Sequence, residues 1–195
     1  MKPQLVVLAG PNGAGKSTFY DVFLSESELP WLNADLFAVE TGIDSLAAAR
    51  ILDETRARMI EDAIGFITET VFSDPHRAKL SMLENAMTAG YEVTLIYIGA
   101  SSADLLARRV DQRIARGGHD VPRDRIASRF ERSLRNLKSA LSLVTTVKLY
   151  DNSDVDEPYR HLATFDHGTL TFRVKGRLPA WTRGIVPAAR RKRKP

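Results

Sequence analysis

The sequence predicts an α/β fold in three layers, with helices on both faces of a mostly parallel sheet. Three observations predict it. Short apolar runs rich in β-branched residues recur along the chain, with helical patterns between them. The first run passes directly into a glycine-rich turn and then a helix. No internal repeat or linker-like stretch divides the chain in two.

The elements follow in order. Gln4–Ala9 holds a continuous apolar run, as a strand buried on both faces requires. Residues 18–24 continue from the glycine-rich turn as a helix. Trp31, Leu32, Asn33, Ala34 and Asp35 form a short segment that connectivity returns towards that turn. Residues 45–64 read as a long helix, with Leu46, Ala49, Leu52, Met59 and Ile60 on its apolar side. Residues 65–72 read as the second strand. Residues 74–89 read as a helix, with Pro75 in its first turn and Gly90 at its C-cap. Residues 91–98 are a strong third strand, rich in β-branched and aromatic side chains. Helices over 103–115 and 122–143 precede a strand over 146–150. Residues 160–173 hold a hairpin around Asp166, His167 and Gly168. A short helix begins near Pro179. The expected organisation is one domain over residues 1–178, then a short helix and a basic, disordered tail over 179–195.

Gly10, Pro11, Asn12, Gly13, Ala14, Gly15, Lys16 and Ser17 fit the P-loop pattern G-x-x-x-x-G-K-[ST] at every fixed position. The strand before it and the helix after it supply the required context. Glycines let the backbone wrap a phosphate without obstruction by side chains. Successive N–H groups then face the anion at the positive end of a helix. Lys16 reaches the β- and γ-phosphates, and the Ser17 hydroxyl ligates Mg²⁺. The expected fold is therefore a three-layer α/β/α P-loop NTPase with a mostly parallel sheet and an Arg-rich lid.

Composition sets bounds around that motif. The chain has 195 residues, 44% hydrophobic and 27% charged, within the range of a globular domain with a real core. It contains no cysteine, which excludes disulfides and thiolate metal sites and agrees with a cytoplasmic location. The four histidines show no metal-ligand spacing. No apolar stretch is long enough for a bilayer, and the N-terminus lacks the apolar core of a signal peptide. The net charge of +4 reflects the basic run Arg190, Arg191, Lys192, Arg193 and Lys194. Such a run is a solvated tail or a contact for nucleic acid.

Missing motifs narrow the class. There is no LSGGQ-like segment and no N-K-x-D, which argues against transporter ATPases and Ras-like GTPases. Neither the second nor the third strand ends in an apolar run followed by Asp, and Glu69 within the second strand is the nearest acidic substitute. Asp35 can take a proton from a substrate hydroxyl, hold a Mg²⁺-bound water, or simply serve a cap or turn. Glu69 either joins Asp35 at the crevice edge or reaches solvent. Arg116 and Arg129 can meet one anion, from the Gly117-Gly118 loop and from the following helix. Arg125, Arg129 and Arg132 share one helix face, which is either a phosphate clamp or an ordinary wet surface. His119 can contact substrate but has no partner that marks it as a base. Ile126, Phe130, Leu134, Leu137, Leu141 and Val144 form the buried stripe of that helix.

Taken as an ordered set, these segments resemble the zeta-toxin family of P-loop kinases. The set runs from Gly10 to Thr18, through Asn33-Ala34-Asp35 and Glu69-Thr70-Val71-Phe72-Ser73, to Arg116-Gly117-Gly118-His119-Asp120-Val121-Pro122. Arg129 and then Asp151-Asn152-Ser153 follow downstream. The resemblance spans most of the chain, from about Leu5 to about Ser153. It implies an ATP- and Mg²⁺-dependent kinase acting on UDP-N-acetylglucosamine. It implies that Lys16 and Ser17 serve ATP and Mg²⁺, that Asp35 is the general base, and that Arg116 and Arg129 clamp the phosphates. It implies that Glu69, Thr70 and Ser73 line the acceptor pocket with Asn33 and His119, and that Asp151 and Asn152 lie near the adenine. An antitoxin partner is also implied. The chain departs from the family toxins in its short region after Ser153 and its basic tail. An ATPase switch, or a nucleic-acid-associated protein using the tail, is the alternative.

Overall fold

A computed structural model of the chain describes residues 2–115 and 122–187. In chain order the elements are β1 (Gln4–Ala9), α1 (Lys16–Phe23), β2 (Trp31–Leu32), α2 (Ala34–Thr41), α3 (Ser45–Glu61) and β3 (Phe66–Thr70). Then come α4 (Ala78–Thr88), β4 (Glu92–Gly99), α5 (Ala103–Ile114), α6 (Arg123–Ala140), β5 (Thr146–Asp151), β6 (Arg160–Asp166) and β7 (Thr169–Arg173). Among the described residues they form one seven-stranded sheet in the order β2-β3-β1-β4-β5-β6-β7. The first five strands in that order are parallel; β6 adds antiparallel to β5, and β7 adds antiparallel to β6. The expected three-layer α/β fold is what the chain adopts.

Two cores lie on opposite faces of the sheet, and β1 feeds both. Leu5, Val7 and Ala9 face one core while Leu8 faces the other, because successive strand side chains alternate. The first core takes Ile60 from α3, Leu80 and Leu83 from α4, and Leu137 from α6. The second takes Phe19 from α1, Leu106 and Val110 from α5, and Ile126 from the start of α6. The stripe expected along α6 thus packs, and Phe130 touches both cores. Truncating one of these buried leucines would cost about 2–5 kcal/mol.

Several local expectations change. The helix expected from residue 74 begins at Ala78, because Arg77 sits at φ 60°, outside helical geometry. The strand expected to run to Phe72 ends at Thr70, with Phe72 at φ 57°. Residues 34–41 form α2, a helix the sequence reading left unassigned. The Asn33 side chain caps it by accepting from the Leu36 N–H at 3.1 Å. The buried side of α3 is Ala48, Leu52, Arg56 and Ile60, whereas Leu46 is exposed. The hairpin turns where expected, with His167 and Gly168 both at positive φ, as a two-residue turn between twisted strands requires.

The chain after Pro179 makes a short 3₁₀ turn, Ala180–Thr182. Trp181, Ile185 and Val186 join the first core, so packing continues through this segment. The Trp181 ring lies against Gly99, where a Cβ would come within 2.5 Å of it. No helix among the described residues is long and apolar enough to cross a membrane.

Candidate active site

The glycine-rich turn follows β1, and α1 begins at Lys16 with Gly15 in the left-handed region at φ 92°. All three glycines of the pattern have positive φ. Their need for glycine has a more specific cause than clearance for phosphate. A Cβ on Gly10 would lie 2.3 Å from the Ile98 carbonyl oxygen, and one on Gly13 would lie 2.6 Å from that of Leu106. A Cβ on Gly15 would lie 2.7 Å from Asn152 Nδ2. The turn is pressed onto β4, α5 and the end of β5, and only a bare backbone fits.

Side chains brace the turn from behind. Asn152 Nδ2 donates to the Ala14 carbonyl at 2.9 Å, and the Tyr159 hydroxyl donates to that of Gly15 at 2.8 Å. Arg109 holds the Asn152 carbonyl at 2.6 Å. The Asp151 carboxylate accepts from Trp181 Nε1 at 2.7 Å and from Ser153 at 2.8 Å. Burial raises the Tyr159 phenol above its ordinary value.

In front of the turn is a cleft of about 280 Å³. Its walls include Lys16, Ser17, Asp35, Glu69, Arg109 and Arg113. Register explains the position of Glu69: it pairs with Leu8, next to the last residue of β1. Parallel strands bring their C-terminal ends to one edge, so the acid arrives beside the turn. Glu69 accepts from the Ser17 hydroxyl at 2.9 Å and from Asn33 Nδ2 at 3.0 Å. Lys16 Nζ lies 3.4 Å from Glu69 Oε1 and donates to the Pro11 carbonyl at 3.2 Å. Lys16 is buried, and a buried ammonium needs such a partner.

Beside this cleft lies a pocket of about 190 Å³. Asp35, Glu69 and Val71 border both. Asp35 stands in the first turn of α2, exposed, and among the described residues no hydrogen bond or ion pair engages its carboxylate. Thr70, Asp53, Arg56 and Lys79 complete the pocket's polar wall. Arg56 is buried, with Nε on the Thr68 hydroxyl at 2.7 Å and Nη1 on Asp53 at 2.6 Å. Burial lowers its pKa, and Asp53 opposes that shift.

A third cavity, of about 350 Å³, carries Thr70, Ser73, Lys79, Arg129 and Arg132. Arg129 reaches the turn itself, with Nη1 3.3 Å from Asn12 Oδ1. Partial burial, with Arg125 and Arg132 alongside, lowers its pKa. Like charges crowded in this way favour an anion among them. Arg132 instead holds the Ser73 carbonyl at 2.9 Å.

The structure therefore brings Asn12, Gly13, Gly15, Lys16, Ser17, Thr18, Asp35 and Glu69 around one cleft, with Asn33 joined through Glu69. Thr70, Ser73 and Arg129 border the adjoining cavities. Asp151 and Asn152 lie behind the turn. Arg116 and His119 fall outside the described residues. Sequence reasoning missed Arg109 and Arg113, although their four-residue spacing just before Gly117-Gly118 was a signal. It also missed Asp53, Arg56 and Lys79. The signal for Arg56 was a charge midway between Leu52 and Ile60 in a four-residue repeat.

A family model described as Zeta toxin matches residues 43–161, well over half of the chain. The match begins after the glycine-rich turn and Asp35, and it includes Glu69, Arg129 and Asn152. No curated protein matches the sequence. Among solved structures, a Chloroflexus aurantiacus protein assigned as a kinase is similar at 25% identity and TM-score 0.52. That alignment covers 67% of this chain and 80% of the other. The PezAT toxin–antitoxin system of Streptococcus pneumoniae is similar at 16% identity and TM-score 0.61, covering 84% and 72%. The AvrRxo1-ORF1:-ORF2 complex with ATP is similar at 17% identity and TM-score 0.64. There the alignment covers 87% of this chain but only 60% of the longer one. At these last two identities the likeness speaks for the fold.

Proposed function

This chain belongs to the zeta-toxin family and is a P-loop kinase; from that premise we propose that it transfers the γ-phosphoryl group of ATP to a hydroxyl of a nucleotide sugar such as UDP-N-acetylglucosamine. One observation carries the reading: Asp35 borders both the cleft in front of the glycine-rich turn and the adjoining pocket. An acceptor hydroxyl in the pocket would meet a free carboxylate on one side and the phosphate cleft on the other. Bound magnesium ATP supplies the phosphoryl group and neutralises its charge.

The residues present suit both groups. The bare backbone from Gly10 to Gly15 and the start of α1 fit a triphosphate. Ser17 and Glu69 offer two oxygens 2.9 Å apart, and Mg²⁺ commonly takes one or two protein oxygens beside those of phosphate and water. In this reading Lys16 would hold the phosphates, and the Ser17 hydroxyl would hold the metal. Arg129, already at the turn, stabilises charge on the transferring group, with Arg116 as its companion from the lid. Asp35 takes the proton from the acceptor hydroxyl as the bond to phosphorus forms. Asp151 and Asn152 act from behind, by holding the turn. We extend the proposal to a cytoplasmic location and to a protein antitoxin.

A screen of UDP-sugars and other metabolites with purified protein and ATP, read by mass spectrometry, tests the acceptor. Product carrying one added phosphoryl group is expected with UDP-N-acetylglucosamine. Asp35→Asn is expected to lower transfer by about 10²–10⁴-fold while nucleotide affinity holds. Undiminished transfer in that variant would remove Asp35 as the base. Rapid ATP hydrolysis with no phosphorylated acceptor would favour the ATPase reading.

A further inference from the structure

The two antiparallel strands are packed on one face only. Leu162, Ala163, Phe165 and Leu170 belong to the first core. The second core reaches Tyr150 of β5 and, among the described residues, takes nothing from β6 or β7. On that second side, aromatic rings form a row. Phe23, the last residue of α1, lies 4.7 Å from Phe19 between ring centroids, and Phe19 lies 5.1 Å from Tyr150. Tyr150 stacks on His161 of β6 at 4.9 Å, and His161 stacks on Phe172 of β7 at 4.6 Å. The row thus crosses three strands and stops at the sheet's edge strand. Its ends are wet: Phe23 is 56% exposed and Phe172 44%. Among the described residues, no ring but that of His161 packs on Phe172.

Positive charge gathers in the same part of the chain. Residues 160–195 hold ten Lys and Arg against one acid, Asp166, whereas the residues before them hold 18 against 23. Arg160 Nη2 reaches the Arg177 carbonyl at 3.5 Å, so the basic segment after β7 runs beside the start of β6. Burial lowers the His161 pKa and the Lys148 charge adds to that shift, which puts this ammonium near the row. Among the described residues, no carboxylate lies within ion-pair distance of Lys148, Lys175 or Arg177. Arg160 has Glu157 at 3.8 Å, and Asp166 faces His167 at 3.0 Å. Asp154, Asp156 and Glu157 lie in the loop that leads to Tyr159, whose ring packs on Phe19 and Phe23 at the other end of the row. The γ-phosphoryl transfer described above gives this face no task.

We propose that this face binds single-stranded nucleic acid, with an unpaired base stacked on Phe172 and the phosphates of the strand on Lys148, Lys175 and Arg177. Ring and cations select the occupant together. An apolar peptide would cover the ring but leave the like charges unanswered. An anionic membrane would answer the charges but offers no plane for the ring to stack on. A single strand supplies both, because every base has a π-face and every linkage a negative charge. Arg190 to Lys194 lie outside the described residues, and their five charges add to the attraction. The face stands apart from the phosphate cleft, so this binding is independent of the kinase reading.

Fluorescence anisotropy of the full chain with a labelled oligouridylate of about 12 nucleotides tests this. Binding is expected at low salt and should weaken steeply as salt rises. The same strand annealed to oligoadenylate is expected to bind less tightly, because its bases are already stacked and paired. Phe172→Ala removes an exposed ring and is expected to weaken binding about tenfold, whereas Phe172→Trp keeps it. Lys175→Gln with Arg177→Gln is expected to lower the slope of log affinity against log salt by about 1 to 1.5. Thermal unfolding checks that each variant is folded. Absent binding at low salt, equal affinity for the duplex, or an unchanged salt slope in the double variant would each overturn the proposal. Parental affinity in Phe172→Ala would do the same and would leave the basic run beyond Pro187 as the contact. Phosphatidylserine vesicles that displace the oligonucleotide at equal phosphate concentration would overturn the choice of nucleic acid, and vesicles that fail to displace it would support that choice.

Discussion

The cleft in front of the glycine-rich turn and the pocket beside Asp35 share a wall but are built in opposite ways. The cleft is floored by one contiguous stretch, the glycine-rich turn, pressed onto β4 and α5 and braced by Asn152 and Tyr159, with side chains of α2, β3 and α5 closing its walls. The pocket is made of side chains from α2, α3, β3 and α4, which meet only when the helices pack. The first is fixed by covalent sequence and steric exclusion. The second is held by ion pairs between partly exposed groups, such as Asp53 and Lys79. On the proposed reading, a nucleotide half fixed by steric exclusion beside an acceptor half held by ion pairs would let one phosphoryl donor serve different acceptors. It follows that changes in the first half should abolish activity, whereas changes in the second should redirect it.

The largest expected effect tests the rigid half. Lys16→Ala should lower phosphoryl transfer by about 10³-fold, as ADP production reads it, because it removes the buried ammonium held between the turn and Glu69. Transfer at near-parental rate would break the comparison. Gly10→Ala should destabilise the fold by about 3 kcal/mol in urea unfolding, since its Cβ meets the Ile98 carbonyl oxygen at 2.3 Å. An unchanged midpoint would mean that the turn has slack.

A smaller effect probes the brace. Trp181→Phe keeps an aromatic ring in the core beside Gly99, trims the indole that covers it, and removes the donor to Asp151. A loss of about 1–2 kcal/mol is expected by denaturation, together with weaker nucleotide binding. Intact nucleotide affinity would uncouple this segment from the cleft. The smallest effect lies outside both halves. Burial lowers the His161 pKa from its ordinary 6.5. The unfolded chain therefore takes up the proton more readily, and stability falls as pH drops through that value. Replacing His161 with Phe should flatten the stability profile between roughly pH 7 and 5 without altering nucleotide affinity. A profile as steep as the parent's would assign the slope to other groups.

The same contrast governs what could be read before the fold was known. The glycine-rich turn was legible because its signal is consecutive and its cause is backbone geometry. Glu69 was legible as an acid near a strand end, and Leu8 opposite it shows why that end matters. Arg56 was not, because a stripe drawn through apolar residues alone rotated the buried side of α3 away from it. Lys79 fell inside a helix whose start was drawn four residues early, and the positive φ of Arg77 has no signature in a residue that seldom adopts it. Helix α2 was hidden because its apolar residues follow no clear helical period, and its start is set by the Asn33 cap. Arg56 and Lys79 share a cause, since each is placed by the element its helix packs against, whereas α2 and the start of α4 turn on local backbone geometry.

The brace behind the turn has a consequence for the order in which the molecule is made. Ala14 and Gly15 leave the ribosome early, yet their carbonyls wait for Asn152 and Tyr159, and Asp151 next to Asn152 waits for Trp181. A half-synthesised chain carries the whole glycine-rich motif without the supports that shape it. A chain cut before Asn152 would keep every residue of the motif and lose the groups that hold its carbonyls.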